Sequence, residues 1–324
     1  MGSYVRGHKF MQSHKGKCYL AGRVFAVFMV AAAAVWPAQG PKRATPEAPA
    51  FRANGTLVLV PVTVIDRRGA IVNGLASEAF TLTEDGVQQP VRSFSEEDVP
   101  VSMGIVLDLS GSMKEFLGAA KESLRALMND ANPADEAFLN AVSTRPRAYS
   151  GFTVDFDEIL QRVAFEDAGG DTALIDTIYG SLQELRSGVH TRKALLVISD
   201  GMDNHSRYSR QELLELAMES DAQVYTIAVG NGEAPFSKPI QQVDEKRGLL
   251  FLDELARTTG GMSFPVRSRA DIREAAASIG RALRNQYTIG YVPGNGPSGQ
   301  WRKIRVKVAG PGMRAYARAG YRLD

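Results

Sequence analysis

The chain of 324 residues has one cysteine, Cys18, near its start. The body of the protein therefore has no disulfides, no thiolate zinc site and no cysteine nucleophile. Histidine is almost as scarce. Of four, His8 and His14 lie in the segment before Pro41, leaving His190 and His205. This excludes a histidine-rich metal centre. Long apolar runs are also lacking apart from Val24–Trp36, so the chain is not a polytopic membrane protein. No net charge of one sign dominates. The formal charge is +2, and the segment before Pro41 holds five bases (Arg6, Lys9, Lys15, Lys17, Arg23) and no acid, leaving 33 bases against 36 acids elsewhere. Charge thus gives no argument for nucleic acid as a partner. With 44% hydrophobic and 23% charged residues the remainder has the composition of a folded globular chain.

The segment before Pro41 has three parts: a basic stretch, the apolar run VFAVFMVAAAAVW, and Pro37-Ala38-Gln39-Gly40 with small residues spaced for cleavage. This is the pattern of a secretory signal. A helix of that run spans roughly 20 Å, short of the ~30 Å hydrocarbon core, which favours a cleaved signal over an anchor at residues 24–36. Either way the protein is expected to be exported, periplasmic or secreted, touching a membrane only through an uncleaved leader. Residues 41–50 (PKRATPEAPA) read as a tether.

Residues 51–100 read as short strands and turns: Leu57–Ile65, Phe80–Thr83, then Val87–Phe94 after the hairpin signal Asp85-Gly86. Pro61 and Pro90 suit edge positions. From Val101 strands alternate with helices. Strands are predicted at Ser102–Leu107, Ala137–Val142, Lys193–Ser199, Gln223–Val229 and Met262–Val266, and helices at Lys114–Met128, Ala173–Arg186, Arg210–Glu219, Leu249–Thr258 and Ala270–Arg284. Continuous apolar strands such as Ala194–Ile198 suit a parallel sheet covered on both faces. The fold class is therefore doubly wound α/β over 101–285. Three more strands follow in 286–324, at Gln286–Val292, Trp301–Val308 and Arg314–Tyr321. They are expected to join those of 51–100 in one discontinuous β-sandwich into which the α/β domain is inserted.

The strand ending at Leu107 runs into Asp108-Leu109-Ser110-Gly111-Ser112. A second ends in Ser199-Asp200-Gly201, and Gly169-Gly170-Asp171-Thr172 opens a helix between them. In doubly wound folds function sits at the carboxyl ends of strands. Two carboxylates and three hydroxyls there form an all-oxygen donor set, which suits Mg²⁺, Mn²⁺ or Ca²⁺. The competing reading of the first loop is a helix N-cap near Ser112. Asp203 reads either as a group bonding metal-bound water or as an exposed turn residue. Asp176 reads as a first-turn acid favoured by the helix dipole.

At these residues the sequence resembles the metal-ion-dependent adhesion site of von Willebrand factor A domains. Glu84-Asp85-Gly86 and Gln286-Tyr287-Thr288-Ile289-Gly290-Tyr291 on the flanks are similar to a bacterial, exported "VWFA-related" family. The resemblance implies that Ser110, Ser112 and Thr172 face an ion, that Asp108 and Asp200 act largely through water, and that a protein partner completes the shell with a carboxylate. Many relatives have Gly-Gly-Thr where Asp171 here intervenes, so Asp171 adds charge beside the site. The function implied is a metal-dependent adhesion or assembly module and not an enzyme. Two alternatives stay open: a structural envelope protein with a vacant site, and a hydrolase. Against the hydrolase, there is no G-x-S-x-G elbow. Gly294–Gly299 matches G-x-G-x-x-G but precedes a strand, so it reads as a hairpin loop. The alternating Arg305 and Lys307 read as a solvated sheet face.

Overall fold

In a computed structural model the described residues are 57–143, 146–148, 150–230, 239–294 and 296–322. The expected leader and tether lie outside them. Strand β1 (Val58–Ile65) is followed by β2 (Phe80–Glu84), β3 (Val87–Gln89) and β4 (Ser93–Glu96). The α/β unit runs β5 (Val101–Asp108), α1 (Leu117–Asn129), β6 (Glu136–Val142), β7 (Arg147–Ala148), α2 (Phe156–Ala164), α3 (Leu174–Glu184), β8 (Arg192–Ser199), α4 (Arg210–Glu219), β9 (Ala222–Val229), α5 (Pro239–Thr259), β10 (Ser263–Val266) and α6 (Arg269–Arg284). The chain continues with β11 (Tyr287–Tyr291), β12 (Trp301–Val308), β13 (Arg314–Tyr316) and β14 (Gly320–Arg322).

The central sheet has the order β10-β9-β8-β5-β6-β7, parallel except for β7. Every residue of β5, β6 and β9 is buried, which fits apolar stretches such as Gly104–Leu107. Alternate side chains serve opposite faces. Ile105 and Leu107 pack with α1, α2 and α6, while Val106, Leu195 and Val197 pack with α3, α4 and α5. From β5 the chain passes to β6 on one side and later to β8 on the other. The carboxyl ends of β5 and β8 therefore frame the point where strand order reverses.

The flanking strands form two four-stranded antiparallel sheets, β13-β1-β11-β4 and β14-β12-β2-β3. Each mixes strands from both sides of the α/β unit, as the sequence pattern leads one to expect. They share one core, in which Val60, Val62 and Val64 meet Leu82, Tyr287, Ile289, Tyr291 and Ile304. Asp85 (φ 49) and Gly86 (φ 85) both take the left-handed conformation that a two-residue hairpin needs. The adjoining Glu84 is buried and accepts hydrogen bonds from Tyr291 (2.7 Å) and Tyr321 (2.9 Å) hydroxyls, tying the two sheets together.

Four sequence expectations need correction. The strand expected at Val87–Phe94 is two, β3 and β4, in different sheets, because Pro90 interrupts it. The strand expected at Arg314–Tyr321 is likewise β13 and β14, one in each sheet. Between them Ala319 donates its amide to Thr258 at the end of α5, and Gly260 packs on the backbone of Ala317 and Arg318, which turns the chain. Helix α2 was not anticipated; Asp155 caps it by accepting from the Asp157 amide. Helix α5 starts well before the expected Leu249, at Pro239. Pro61 sits in a strand with neighbours on both sides, yet β13 joins β1 only from Thr63 on, so at Pro61 one side is free.

Candidate metal-binding site

Asp108 is the last residue of β5 and Asp200 directly follows β8, so adjacent parallel strands deliver both carboxylates to one edge. Both are buried. Asp108 Oδ1 accepts from the Ser110 amide (2.8 Å), and its Oδ2 accepts from the Ser199 hydroxyl (2.6 Å). That Ser199 oxygen in turn accepts the Gly201 amide at 2.9 Å, so it links the two acidic loops. Asp200 Oδ1 accepts from the Met202 amide (2.9 Å), while its Oδ2 is buried with no hydrogen-bond partner. Burial pushes the Asp108 carboxyl up to about 6; the Ser199 hydroxyl opposes this and the nearby Asp200 charge adds to it.

The hydroxyls sit on the same edge. After Asp108 the chain forms a short 3-10 turn at Gly111–Met113, and α1 starts only at Leu117. Ser110 makes no side-chain cap bond, which removes the N-cap reading of this loop. Its hydroxyl lies 3.1 Å from that of Ser112 instead; Ser110 is buried and Ser112 exposed. The loop before α3 is fixed to the first loop by the Gly169 amide, which donates to Leu109 O at 2.7 Å. Thr172 is buried; its amide donates to Asn204 Oδ1 (2.9 Å) and its carbonyl accepts the Asn204 and His205 amides (both 3.1 Å). Asp171, the added residue, is exposed.

The segment after Asp200 is thus a clamp on the start of α3. Asp203 Oδ1 accepts from the Ile175 amide (3.1 Å) and the Ser206 hydroxyl (2.5 Å). Asp176 lies in the first turn of α3, as the sequence suggests, and it is also buried, accepting from the Arg207 and Tyr208 amides and the Arg207 guanidinium. Burial pushes its pKa up, but those donors outweigh it and hold the carboxyl below its ordinary range. His205 meets Thr172 through its backbone amide.

Sequence reasoning missed Ser199 and Asn204 as supports. Both are short polar residues flanking the Asp-Gly turn, the type that bonds nearby backbone. It also missed Gly248 in α5. Gly201 has φ +76, and a Cβ there would lie 2.4 Å from Gly248 O; a Cβ on Gly248 would lie 2.7 Å from Asp200 O. The helix and the Asp200 loop touch backbone to backbone through two glycines.

Among the described residues no three His, Cys, Asp or Glu side chains converge. The arrangement is instead two buried carboxylates with serine and threonine hydroxyls. Residues 103–202, which carry it, match the von Willebrand factor type A domain. The chain contains a von Willebrand factor A domain. Solved structures similar to this A-domain protein include BatB from Bacteroides thetaiotaomicron, a conserved hypothetical protein (17% identity, 56% of this chain and 98% of that one, TM-score 0.43). A von Willebrand factor type A structure from Catenulispora acidiphila has 13% identity over 84% of this chain and 75% of its own, with TM-score 0.48. The PilB minor pilin from Streptococcus sanguinis has 13% identity over 60% and 62%, with TM-score 0.44. No curated protein is significantly similar to the chain.

Proposed function

We propose that the protein is an exported, divalent-cation-dependent binding module that joins a partner protein through the A domain's metal edge. The observation that carries this is the orphaned oxygen of Asp200, buried, without a hydrogen-bond donor, and beside a second buried carboxylate. An unsatisfied buried acceptor costs about 1–3 kcal/mol or more when charged, and two like charges add to that. A cation relieves both. The donors are hard oxygens throughout, which fits Mg²⁺, Mn²⁺ or Ca²⁺. Asp108, Asp200, Ser110, Ser112 and Thr172 would hold the ion, directly or through water. Such an ion would supply positive charge and open coordination positions that a carboxylate of a partner protein could fill, with no substrate turned over. Nucleic acid has no part in this reading. Asp203 and Asn204 set the position of Thr172 and α3 rather than meeting the ion themselves. Export is supported by the three-part leader. Among the described residues no helix is long and apolar enough to cross a membrane.

The test is a set of thermal scans in EDTA and in excess Mg²⁺, repeated with Mn²⁺ and Ca²⁺. A ligand at 100 times its Kd stabilises by about 2.7 kcal/mol. At roughly 2–4 °C per kcal/mol the wild type should gain about 5–10 °C. Asp200→Ala should gain nothing while being no less stable in EDTA, and Ser110→Ala should gain an intermediate amount. Equal shifts in wild type and Asp200→Ala would put the ion elsewhere and overturn the proposal.

A further inference from the structure

The end of the α/β sheet opposite the metal edge carries a second feature. Between the amino ends of β8 and β9 and the outer face of the sandwich lies a crevice of about 1090 Å³. That is the size of a small-molecule site, and such sites favour the junction of two packed units. Its lining includes four exposed apolar side chains: Leu57, Leu59, Val99 and Val189 stand 40%, 50%, 36% and 77% exposed. These are large hydrophobic side chains left in water at one place.

Arg192, only 9% exposed, also lines the crevice. Its Nε donates to Gln286 Oε1 (3.0 Å) and its Nη2 to Leu283 O (2.6 Å). Among the described residues Nη1 has no partner and no carboxylate lies within ion-pair distance of the guanidinium. Asp98 and Asp135, the acids in Coulombic reach, are both bonded to Arg284. Burial pulls the Arg192 pKa down, the mark of a cation held out of water without full compensation. The other crevice arginines of the sandwich are satisfied: Arg318 pairs with Asp221 and Arg322 with Glu219, both at 2.8 Å.

We propose that this crevice binds a small anionic amphiphile, its carboxylate or phosphate head on Arg192 Nη1 and its apolar tail along Leu57, Leu59, Val99 and Val189. Charge complementarity sets the head: a buried guanidinium with a spare donor recognises a planar or tetrahedral oxyanion. The exposed apolar side chains that share the lining with this cation call for an apolar tail. An extended peptide added as a strand is disfavoured, because Pro61 removes an amide donor from the β1 edge that faces the crevice. The site is independent of the metal edge, and its test is run in EDTA.

Decanoate, decyl phosphate and decyltrimethylammonium, each below its micellar concentration, are titrated into the full chain by calorimetry. Saturable binding of an anionic probe at one site per chain, with no binding of the cationic probe, is expected. Acetate and inorganic phosphate should bind about tenfold or more weakly than the ten-carbon compounds, and the stronger of the two anionic probes identifies the head group. Arg192→Gln should weaken binding about tenfold or more, the worth of one charge-assisted hydrogen bond. Since Arg192 also supports its surroundings, Leu59→Asp is the second variant: it is exposed, lies outside the sandwich core, and places a negative charge against the tail. It should weaken binding similarly with an unchanged melting point. Equal binding of cationic and anionic probes, binding of neither anion up to millimolar concentration, or unaltered affinity in both variants would overturn the proposal.

Discussion

Gly201→Ala tests the backbone contact beneath the edge that carries Asp108 and Asp200. The residue has φ +76, a left-handed conformation that costs a residue with a Cβ roughly 1–2 kcal/mol. The new methyl would also lie 2.4 Å from Gly248 O, a backbone atom in the middle of α5 that no side-chain rotation can move away. Overpacking of this kind costs about 1–3 kcal/mol. Together the loss is about 2–5 kcal/mol, or a fall in Tm of roughly 4–20 °C. Gly248→Ala meets a similar obstacle, at 2.7 Å from Asp200 O, but regains about 1 kcal/mol in helix propensity, so its net loss is about 0–2 kcal/mol. Gly180→Ala in α3 is the control: nothing lies within 4 Å of its Cβ, and it should stabilise by about 0.5–1 kcal/mol. Thermal scans in EDTA measure all three. Because Asp200 is next to the clash, the cation response of Gly201→Ala should shrink as well. A Gly201→Ala protein within about 1 kcal/mol of wild type, with its full cation response, would refute the close approach.

Asp176→Asn should lose about 1–3 kcal/mol at pH 7, since the carboxylate serves two amides and a guanidinium. Its folded pKa is depressed below the ordinary carboxyl range, so this stabilisation is present at neutral pH and lost as pH falls through the folded pKa; urea melts should show the two proteins converging at acid pH, and a gap that is constant with pH would contradict this. Gln286→Ala should cost about 3 kcal/mol or more by chemical denaturation: its amide lies within 3.1 Å of Thr63, 2.9 Å of Gln223 and 2.7 Å of Tyr225, and its carbonyl accepts from Arg192. A loss under about 1 kcal/mol would mean water replaces it. Truncation after Asn285 removes half of each sandwich sheet, so a 51–285 chain should aggregate or lose strand signal by circular dichroism, while 101–285 stays soluble. A soluble, fully folded 51–285 would refute the shared core.

What could be read in advance depended on whether the signal was local. Asp108 and Asp200 stand at the ends of apolar strands, and a strand that runs into Asp-x-Ser-x-Ser states its own position. The Asp85-Gly86 turn is equally local. Helix α2 has the amphipathic pattern FDEILQRVA behind a capping Asp155, but it is short beside its neighbours. The first half of α5 is polar around Gly248, and glycine argues against a helix unless something must approach closely. Here the Gly201 backbone does. The sheet switches after Gln89 and before Gly320 depend on β4 pairing with β11 and β13 with β1, partners on the far side of the whole α/β unit, which no window of sequence contains. Gln286 was visible only as part of a motif; its reason, four buried polar partners from β1, β8 and β9, is tertiary.

The interleaving of the flanks in the sandwich sets an order of events during synthesis. Strands β1 to β4 leave the ribosome first, but β1 pairs with β11 and β13, and β2 with β12, all made after residue 286. At about 5–20 residues per second the intervening segment takes roughly 10–40 s. Once that segment is complete the α/β unit can fold on its own, since its sheet is covered by its own helices, while the early strands still wait with apolar faces and bare edges. The vulnerable species in the life of this protein is therefore a half-made chain with a finished middle and an unfinished base, and that is the form a holding chaperone would need to recognise.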